Sequence, residues 1–576
     1  MIVLRALALM ACIALTAEAR GQTVSVTGED SAGVSNALQS LLDERAKSGA
    51  SDAQATANTL LRYLRSEGYY TARVIVDQSD EAPTFQVTPG EQFRFSSLEV
   101  LTNGRDRARS VARNGIALDE GDAVRAADVL AAETDGLRAL RLSGWPDARL
   151  ENRVVTVDHA DASGDVVFTF EPGAESLYGD ISLDTDRWRA SFVRRLAPFT
   201  SGERVSAATL RSFESRLEAL ESISSAAVIL SAPAELDGPQ RRDVNVSATP
   251  SPRHVAEAGF SLSTSEGGGV SGAYKRRNLF GGDETLDVSL NLATVLSGLT
   301  VELSAPHWRR LGQKLTLEAH TGREETDAYD LLESGVGARV SRPLSETMTV
   351  SLGANFTVAH SETDTFDLDV YTSSISLGAV WDDRDSAIAP TEGYLLSVDV
   401  SPAVVTGDAA TQDSRTVGET QYLKTVGEAR TYQRLSSSLI IAGRLRAGGI
   451  VGAPLYALPP EQRFFAGGGG SARGYDYQSL APRNEAGALI GGRSIIETSL
   501  EARWRRSRRW GGVLFVDSAA AGRDETPDFG AMRSAVGFGL RYYLDFAPLR
   551  IDVATPLDPI AGDPELQLYI GLGEAF

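Results

Sequence analysis

The stretch Met348-Thr349-Val350-Ser351-Leu352-Gly353-Ala354-Asn355-Phe356-Thr357-Val358-Ala359 places an apolar side chain at every even position and a small or polar one opposite it. A period of two marks a β-strand with one apolar and one polar face. The pattern extends in both directions. Upstream, Leu286, Val288, Leu290 and Leu292 alternate with Thr285, Asp287, Ser289 and Asn291. Downstream, Phe538, Leu540, Tyr542 and Leu544 alternate with Gly537, Gly539, Arg541 and Tyr543. It begins near residue 255 and fills the 322 residues to Phe576. At roughly 20 residues per strand and connection, residues 255–576 predict an all-β domain of about 16 antiparallel strands.

Alternation alone fits a soluble sandwich with its apolar face inward, or a membrane barrel with that face on lipid and the polar face lining a wet lumen. The amino-terminal residues favour the barrel. Residues 1–19 hold Arg5, the apolar stretch Ala6 to Leu15 and the A-x-A pattern Ala17-Glu18-Ala19, which read as an export signal. Leu9-Met10-Ala11-Cys12 matches a lipoprotein cleavage box only loosely. Cys12 is the single cysteine, so the mature chain is expected to carry neither disulfide nor thiol chemistry. Beyond the signal there is no apolar run of about 18 residues, which leaves strands as the means of crossing a membrane. The net charge of -21, with 77 acidic against 56 basic residues, argues against nucleic acid or an anionic lipid surface as the main partner.

Residues 20–254 follow another rule. Gly68-Tyr69-Tyr70-Thr71-Ala72-Arg73-Val74 returns 76 residues later as Gly144-Trp145-Pro146-Asp147-Ala148-Arg149-Leu150, and a weaker copy, Ser222-Ile223-Ser224-Ser225-Ala226-Ala227-Val228, starts 78 residues further on. Pro89-Gly90 and Pro172-Gly173 each close an alternating strand. An amphipathic helix precedes each copy, with the apolar stripes Ala57/Leu60/Leu64, Leu130/Leu137/Leu140 and Leu210/Phe213/Leu217/Leu220. Ser51-Asp52-Ala53-Gln54 offers the first of them a capping box. Three α+β units are expected, at 20–91, 92–173 and 174–254.

Phe464-Phe465-Ala466-Gly467-Gly468-Gly469-Gly470-Ser471-Ala472-Arg473-Gly474-Tyr475 resembles the Arg-Gly-Phe/Tyr loop of the outer-membrane assembly factors and polypeptide transporters built from POTRA domains and a sixteen-stranded barrel. In that family the loop after the eleventh strand folds back into the lumen and its arginine meets an aspartate. The resemblance therefore implies Arg473, Gly474 and Tyr475 as the loop motif and Asp517, in Phe515-Val516-Asp517, as the partner acid. Two positions depart from the pattern: Ala472 stands where Val or Ile is common, and Ala519 where Gly is common. Asn278-Leu279-Phe280-Gly281-Gly282 resembles the family's first hairpin. Asp382-Asp383-Arg384-Asp385 with Pro390-Thr391-Glu392-Gly393-Tyr394 resembles its mid-barrel signature. Gly491-Gly492 with Glu497, the segment 548–554 and the segment 569–576 continue the series in order. Three amino-terminal units match the TamA branch, since central assembly factors usually carry five and two-partner secretion translocators two. The resemblance implies a Gram-negative outer membrane location with the POTRA units in the periplasm, client outer-membrane proteins, a TamB-like inner-membrane-anchored partner and thinning of nearby outer-membrane lipid.

Physically, an arginine in a lumen is costly unless hydrated or paired, and a carboxylate is its best planar partner. Arg541, Arg550 and Asp552 read as ordinary hydrated lumen charges. The Gly467–Gly470 run lacks the Lys-Ser/Thr of a phosphate loop and reads as a hinge. Leu566, Leu568, Ile570, Leu572 and Phe576 share one face of the last strand, with Gly571 and Gly573 opposite, where they weaken its fit to a neighbour. The first strand, carrying Ala256, Ala258, Phe260 and Leu262, must close against it. A weak seam can open and offer its edges as a template for added strands. That function needs no chemistry. The five histidines, His159, His254, His307, His320 and His360, show no metal-ligand or nucleophile spacing, so neither enzyme activity nor a metal or other cofactor is expected. The alternative function is a two-partner-type polypeptide secretion pore.

Overall fold

The computed structural model describes residues 23–27, 31–47, 52–78, 83–234, 238–363, 366–411, 419–505, 507–544, 548–559 and 563–576. Residues 1–19, expected to form an export signal, and Cys12 and Ser51 lie outside them. The chain divides into two compact units, one of residues 1–182, 197–215 and 227–246, the other of 183–196, 216–226 and 247–576.

Three α/β repeats come first. The first consists of β1 (Thr23–Val26), α1 (Ser31–Lys47), α2 (Ala53–Ser66), β2 (Arg73–Gln78) and β3 (Pro83–Thr88). The second consists of β4 (Arg94–Leu101), α3 (Asp106–Gly115), α4 (Ala126–Leu142), β5 (Arg149–Asp158) and β6 (Ser163–Glu171). The third consists of β7 (Ser176–Leu183), α5 (Ala190–Leu196), α6 (Ala207–Glu218), β8 (Ile223–Leu230) and β9 (Gln240–Pro250). Their sheets share one order, β1-β3-β2, β4-β6-β5 and β7-β9-β8. In the first two, the last strand runs parallel to the first and antiparallel to its hairpin mate, so the helix pair serves as the crossover. Asp52 caps α2, its carboxylate accepting from the Gln54 and Ala55 amides at 2.9 and 3.2 Å. Ala57, Leu60 and Leu64 pack on Phe85 and Val87 as their spacing requires.

The stripe on α4 keeps the predicted Leu140, with Leu137 partly buried against the same core, and departs from the prediction at Leu130. Val129, Ala132, Gly136 and Leu140 are buried, whereas Leu130 is 52% exposed. Gly136 is the reason: a Cβ there would meet Phe170 Cζ at 2.6 Å, so the helix presses its glycine face onto the sheet.

The internal repeat has a structural meaning. In each copy the carbonyl of the first residue accepts a hydrogen bond from the residue that opens the next domain: Phe93 N to Gly68 O at 2.9 Å, Ser176 N to Gly144 O at 2.7 Å, and Ser251 N to Ser222 O at 2.9 Å. Gly68 and Gly144 hold φ of +92° and +114°, which favours glycine. Between the second and third repeats, Glu175 is paired with both Arg107 and Arg204, and the buried Arg242 with Asp147. Burial alone would raise the Glu175 pKa, but Arg204 and Arg107 outweigh it and hold the carboxyl below the ordinary glutamate range. A depressed folded-state value means that the stabilisation is complete above the ordinary glutamate pKa and is lost as pH falls through the folded one. Spin labels at Thr134 and Arg211 of the full chain should therefore give a narrow distance distribution at neutral pH that broadens under acid. Glu175→Gln should be broad at neutral pH already, and an identical narrow distribution in both proteins at every pH would contradict the assignment.

The rest is a closed antiparallel barrel of sixteen strands, as expected. It opens with β10 (His254–Ser263), β11 (Gly267–Arg276), β12 (Thr285–Ala293), β13 (Leu296–Ala305) and β14 (Lys314–Glu325). It continues with β15 (Asp330–Pro343), β16 (Met348–Glu362), β17 (Phe366–Asp382), β18 (Gly393–Thr411), β19 (Thr420–Arg434) and β20 (Leu439–Val451). It ends with β21 (Ser494–Arg505), β22 (Trp510–Gly522), β23 (Arg533–Tyr543), β24 (Pro548–Pro556) and β25 (Gln567–Leu572). The outward rows expose large apolar side chains, among them Leu352 at 55%, Ile375 at 50% and Leu514 at 67%. A wall of this kind is incompatible with water and fits lipid. No described helix is long and apolar enough to cross a membrane. We call the end at which His254 begins β10 the near end. Asn278–Gly282 lies there, in the turn between the second and third strands rather than in the first hairpin. Asp283 in that turn accepts from the Ser222 amide at 2.9 Å, and Glu284 pairs with Arg189.

Candidate functional site

Between β20 and β21, residues 452–493 leave the wall and fill the lumen. Tyr475, Phe464, Ala466 and Ala472 pack there in one apolar cluster with Ile450, Ile495, Ala519 and Ala535. Gly467 and Gly468, at φ of +107° and +93°, reverse the chain, and a Cβ on Gly467 would meet Asp476 O at 2.4 Å. Gly474 lies against β23 and β24, where a Cβ would approach Ala535 Cβ to 2.9 Å. Tyr475 donates its hydroxyl to Ser534 O at 2.9 Å.

These contacts deliver Arg473 to a buried site. Its Nε and Nη2 donate to the two oxygens of Asp517 at 2.7 and 3.0 Å. Nη1 reaches Asp552 Oδ2 at 3.1 Å and Nη2 reaches Glu501 Oε1 at 2.8 Å. The guanidinium also lies 3.5 Å from the centre of the Phe515 ring. All four charged side chains are at most 3% exposed. The pair implied by the resemblance is present, and it is one edge of a larger network. Asp552 pairs with Arg541, Arg541 with Glu574 at 2.9 Å, and Glu501 with Arg503 at 2.8 Å. The reading of Arg541 and Asp552 as hydrated lumen charges is thus corrected, because both are fully buried. Only Arg550 of the three lines an open cavity. Glu501 could have been suspected from its parity with Ser499, but which inward charges meet depends on strand register.

The seam is thin. β10 pairs with β11 at ten positions and β24 with β25 at six, but β10 meets β25 at only two, Leu262 with Ile570 and Ser263 with Tyr569. Thr264 adds an amide bond to Leu568 O at 3.0 Å. His254–Ser261, including Ala258 and Phe260, have no strand partner on that side among the described residues. The cause is Gly573: at φ of +92° it ends the strand after Gly571-Leu572 and turns the chain inward. Glu574 then binds Arg541, and the Phe576 carbonyl accepts from Arg503 at 3.1 Å. Phe576 therefore does not continue the lipid-facing row; its ring lies 5.1 Å from the Arg503 guanidinium. Ala258, Phe260, Gly571 and Gly573 all border a cavity of about 1570 Å³.

The inward loop holds both sides of this gap. Gly469 N donates to Glu266, in the β10–β11 hairpin, at 2.7 Å. On the other side the Tyr569 hydroxyl accepts from Gly474 N at 3.1 Å, and Gln567 donates to Asp476 at 2.6 Å. Among the described residues no cluster of histidine, cysteine and carboxylates has metal-binding geometry.

Comparison with known proteins agrees with this architecture. The chain is 26% identical over 325 residues to the outer membrane protein assembly factor BamA of Nitratidesulfovibrio vulgaris, a match covering 52% of this chain and 39% of BamA. It is 25% identical over 271 residues to the sorting and assembly machinery component 50 homolog A of Xenopus laevis, covering 44% of this chain and 54% of that one. The chain thus spans about half the length of the curated relatives it matches. The crystal structure of Haemophilus ducreyi BamA lacking POTRA domains 1–3 superposes with a TM-score of 0.67 at 16% identity, covering 84% of this chain and all of that one. Residues 278–576 match the Omp85 superfamily domain, so this chain, an outer-membrane barrel with POTRA-type periplasmic domains, belongs to the Omp85 superfamily.

Proposed function

We propose that the chain is a non-enzymatic assembly factor that templates strands of client outer-membrane proteins at the β10–β25 seam. The observation that carries this reading is the unequal pairing of the seam, two positions against ten on the other side of β10. Unpaired backbone groups in lipid are costly, and a client strand docking on β10 satisfies its own and those of the barrel together. The wall is also short there. β25 has six residues where β18 has nineteen. Six residues rise about 20 Å, less than the roughly 30 Å hydrocarbon core, which favours local thinning of the bilayer. The repeats serve as a periplasmic dock for clients and for a TamB-like partner. The seam, the POTRA-type repeats and the carriage of the loop motif together support the TamA-type role. A polypeptide pore is the second reading, since it too uses a barrel with an inward loop, but here that loop is tied to the wall by a buried ionic network.

Photo-crosslinking side chains at Ala258 and Phe260 should capture strands of other outer-membrane barrels in register in living cells. Capture of an unstructured secreted polypeptide near Arg473, with nothing at the seam, would sink templating and favour the pore.

A further inference from the structure

The barrel's four tryptophans, Trp308, Trp381, Trp504 and Trp510, all stand at the near end, in the turns or at the strand ends beside them. Tryptophan settles where lipid headgroups meet hydrocarbon. One of these turns, residues 306–313 between β13 and β14, is built as a pocket. Leu303 pairs with Leu317 and Ala305 with Leu315 on the outward face above it, so the lipid-facing wall runs down to its rim. Leu311, 46% exposed, continues that apolar surface.

Below the rim lies a cavity of about 190 Å³ lined by Phe192, Leu196, His307, Leu311 and the arginines Arg195, Arg309 and Arg310. That is below the roughly 300 Å³ at which pockets for drug-sized ligands begin, and it suits one small polar group. Phe192 and Leu196, both buried on α5, form an apolar floor. Arg309 stacks over Trp308 at 4.5 Å and Arg195 over Phe192 at 5.9 Å. His307 and Arg309 hold φ of +54° and +58°, a region uncommon outside glycine, asparagine, aspartate and histidine, so Arg309 is the exception. The Gly312 amide donates to His307 Nδ1 at 3.0 Å and fixes the ring. None of the three arginines has a carboxylate partner among the described residues, whereas Arg189 on the same segment is tied to Glu284. In a chain of net charge -21, three unpaired arginines converging on one small cavity are a marked local excess.

We infer that this pocket binds the phosphate of an anionic phospholipid in the periplasmic leaflet. The arginines hold the phosphoryl oxygens by charge-assisted hydrogen bonds, and the acyl chains lie along Leu311, Leu315 and Leu317. The apolar rim selects lipid over free phosphate. A lipid held here would anchor the near end of the barrel at β13 and β14, its fourth and fifth strands.

The test uses the full chain folded in phosphatidylcholine vesicles doped with phosphatidylglycerol, with retained lipid counted by native mass spectrometry. Wild type should retain phosphatidylglycerol in preference to phosphatidylcholine. The triple variant R195Q/R309Q/R310Q should lose about a hundredfold in affinity, at roughly fivefold per arginine near a lipid surface. Heat-modifiable gel mobility confirms that the variant barrel is folded. Equal retention by variant and wild type would overturn the site. So would the same loss in R505Q/R508Q/R509Q, which would make the effect one of belt-wide charge, or displacement of the lipid by inorganic phosphate at equal affinity, which would make it a general anion site.

Discussion

Arg473→Ala should destabilise the folded barrel by about 3–5 kcal/mol, the usual consequence of removing one member of a buried ion pair and leaving its partners charged and unpaired. Arg473 faces Asp517, Glu501 and Asp552 at once, in a site at most 3% exposed. Its removal leaves three carboxylates, with Arg503 on Glu501 and Arg541 on Asp552 as the direct ion pairs that remain among the described residues. Arg473→Lys should recover part of the loss, because an ammonium restores the charge but cannot grip Asp517 with two parallel bonds. Asp517→Asn should cost less than Arg473→Ala, since Arg473 keeps two other acids. Urea unfolding of the vesicle-embedded protein, followed by gel mobility, measures all three. If Arg473→Ala unfolds at the wild-type midpoint, the loop is not anchored by this network. The same variant should weaken seam closure, since the loop that Arg473 pins also holds Glu266 on one side and Tyr569 on the other.

The legible parts of this fold were those written in local periodicity. The alternation around Leu352 announced a strand, and its repetition announced the barrel. The copies beginning at Gly68, Gly144 and Ser222 announced three domains, and each proved to mark a backbone bond to the following one. The Arg473 and Asp517 contact was legible only through resemblance, because the two residues are 44 apart and meet by strand register and loop course. The same limit hid Glu501, Asp552 and Arg541. Parity says that a side chain points inward, not at what height or opposite what. Leu130 failed differently: an apolar residue at helical spacing lost its place to Gly136, whose missing side chain lets Phe170 approach. Phe576 lost its place in the lipid-facing row because one left-handed glycine, Gly573, redirects everything after it.

Locking the seam tests the central claim most directly. Leu262 and Ile570 pair in register across it and lie on the lipid-facing side, so cysteines there leave the lumen network untouched. Paired residues in an antiparallel ladder stand about 4.5–5.5 Å apart at Cα, within reach of a disulfide. Cys12 is the only native cysteine, so the engineered pair has little to compete with it. The double variant L262C/I570C, reconstituted in vesicles and presented with an unfolded outer-membrane client, should stop folding that client when oxidised and resume when reduced. A matching pair inside the wall, L352C/L377C, should have no effect in either state. Undiminished client folding by the oxidised seam would contradict the account.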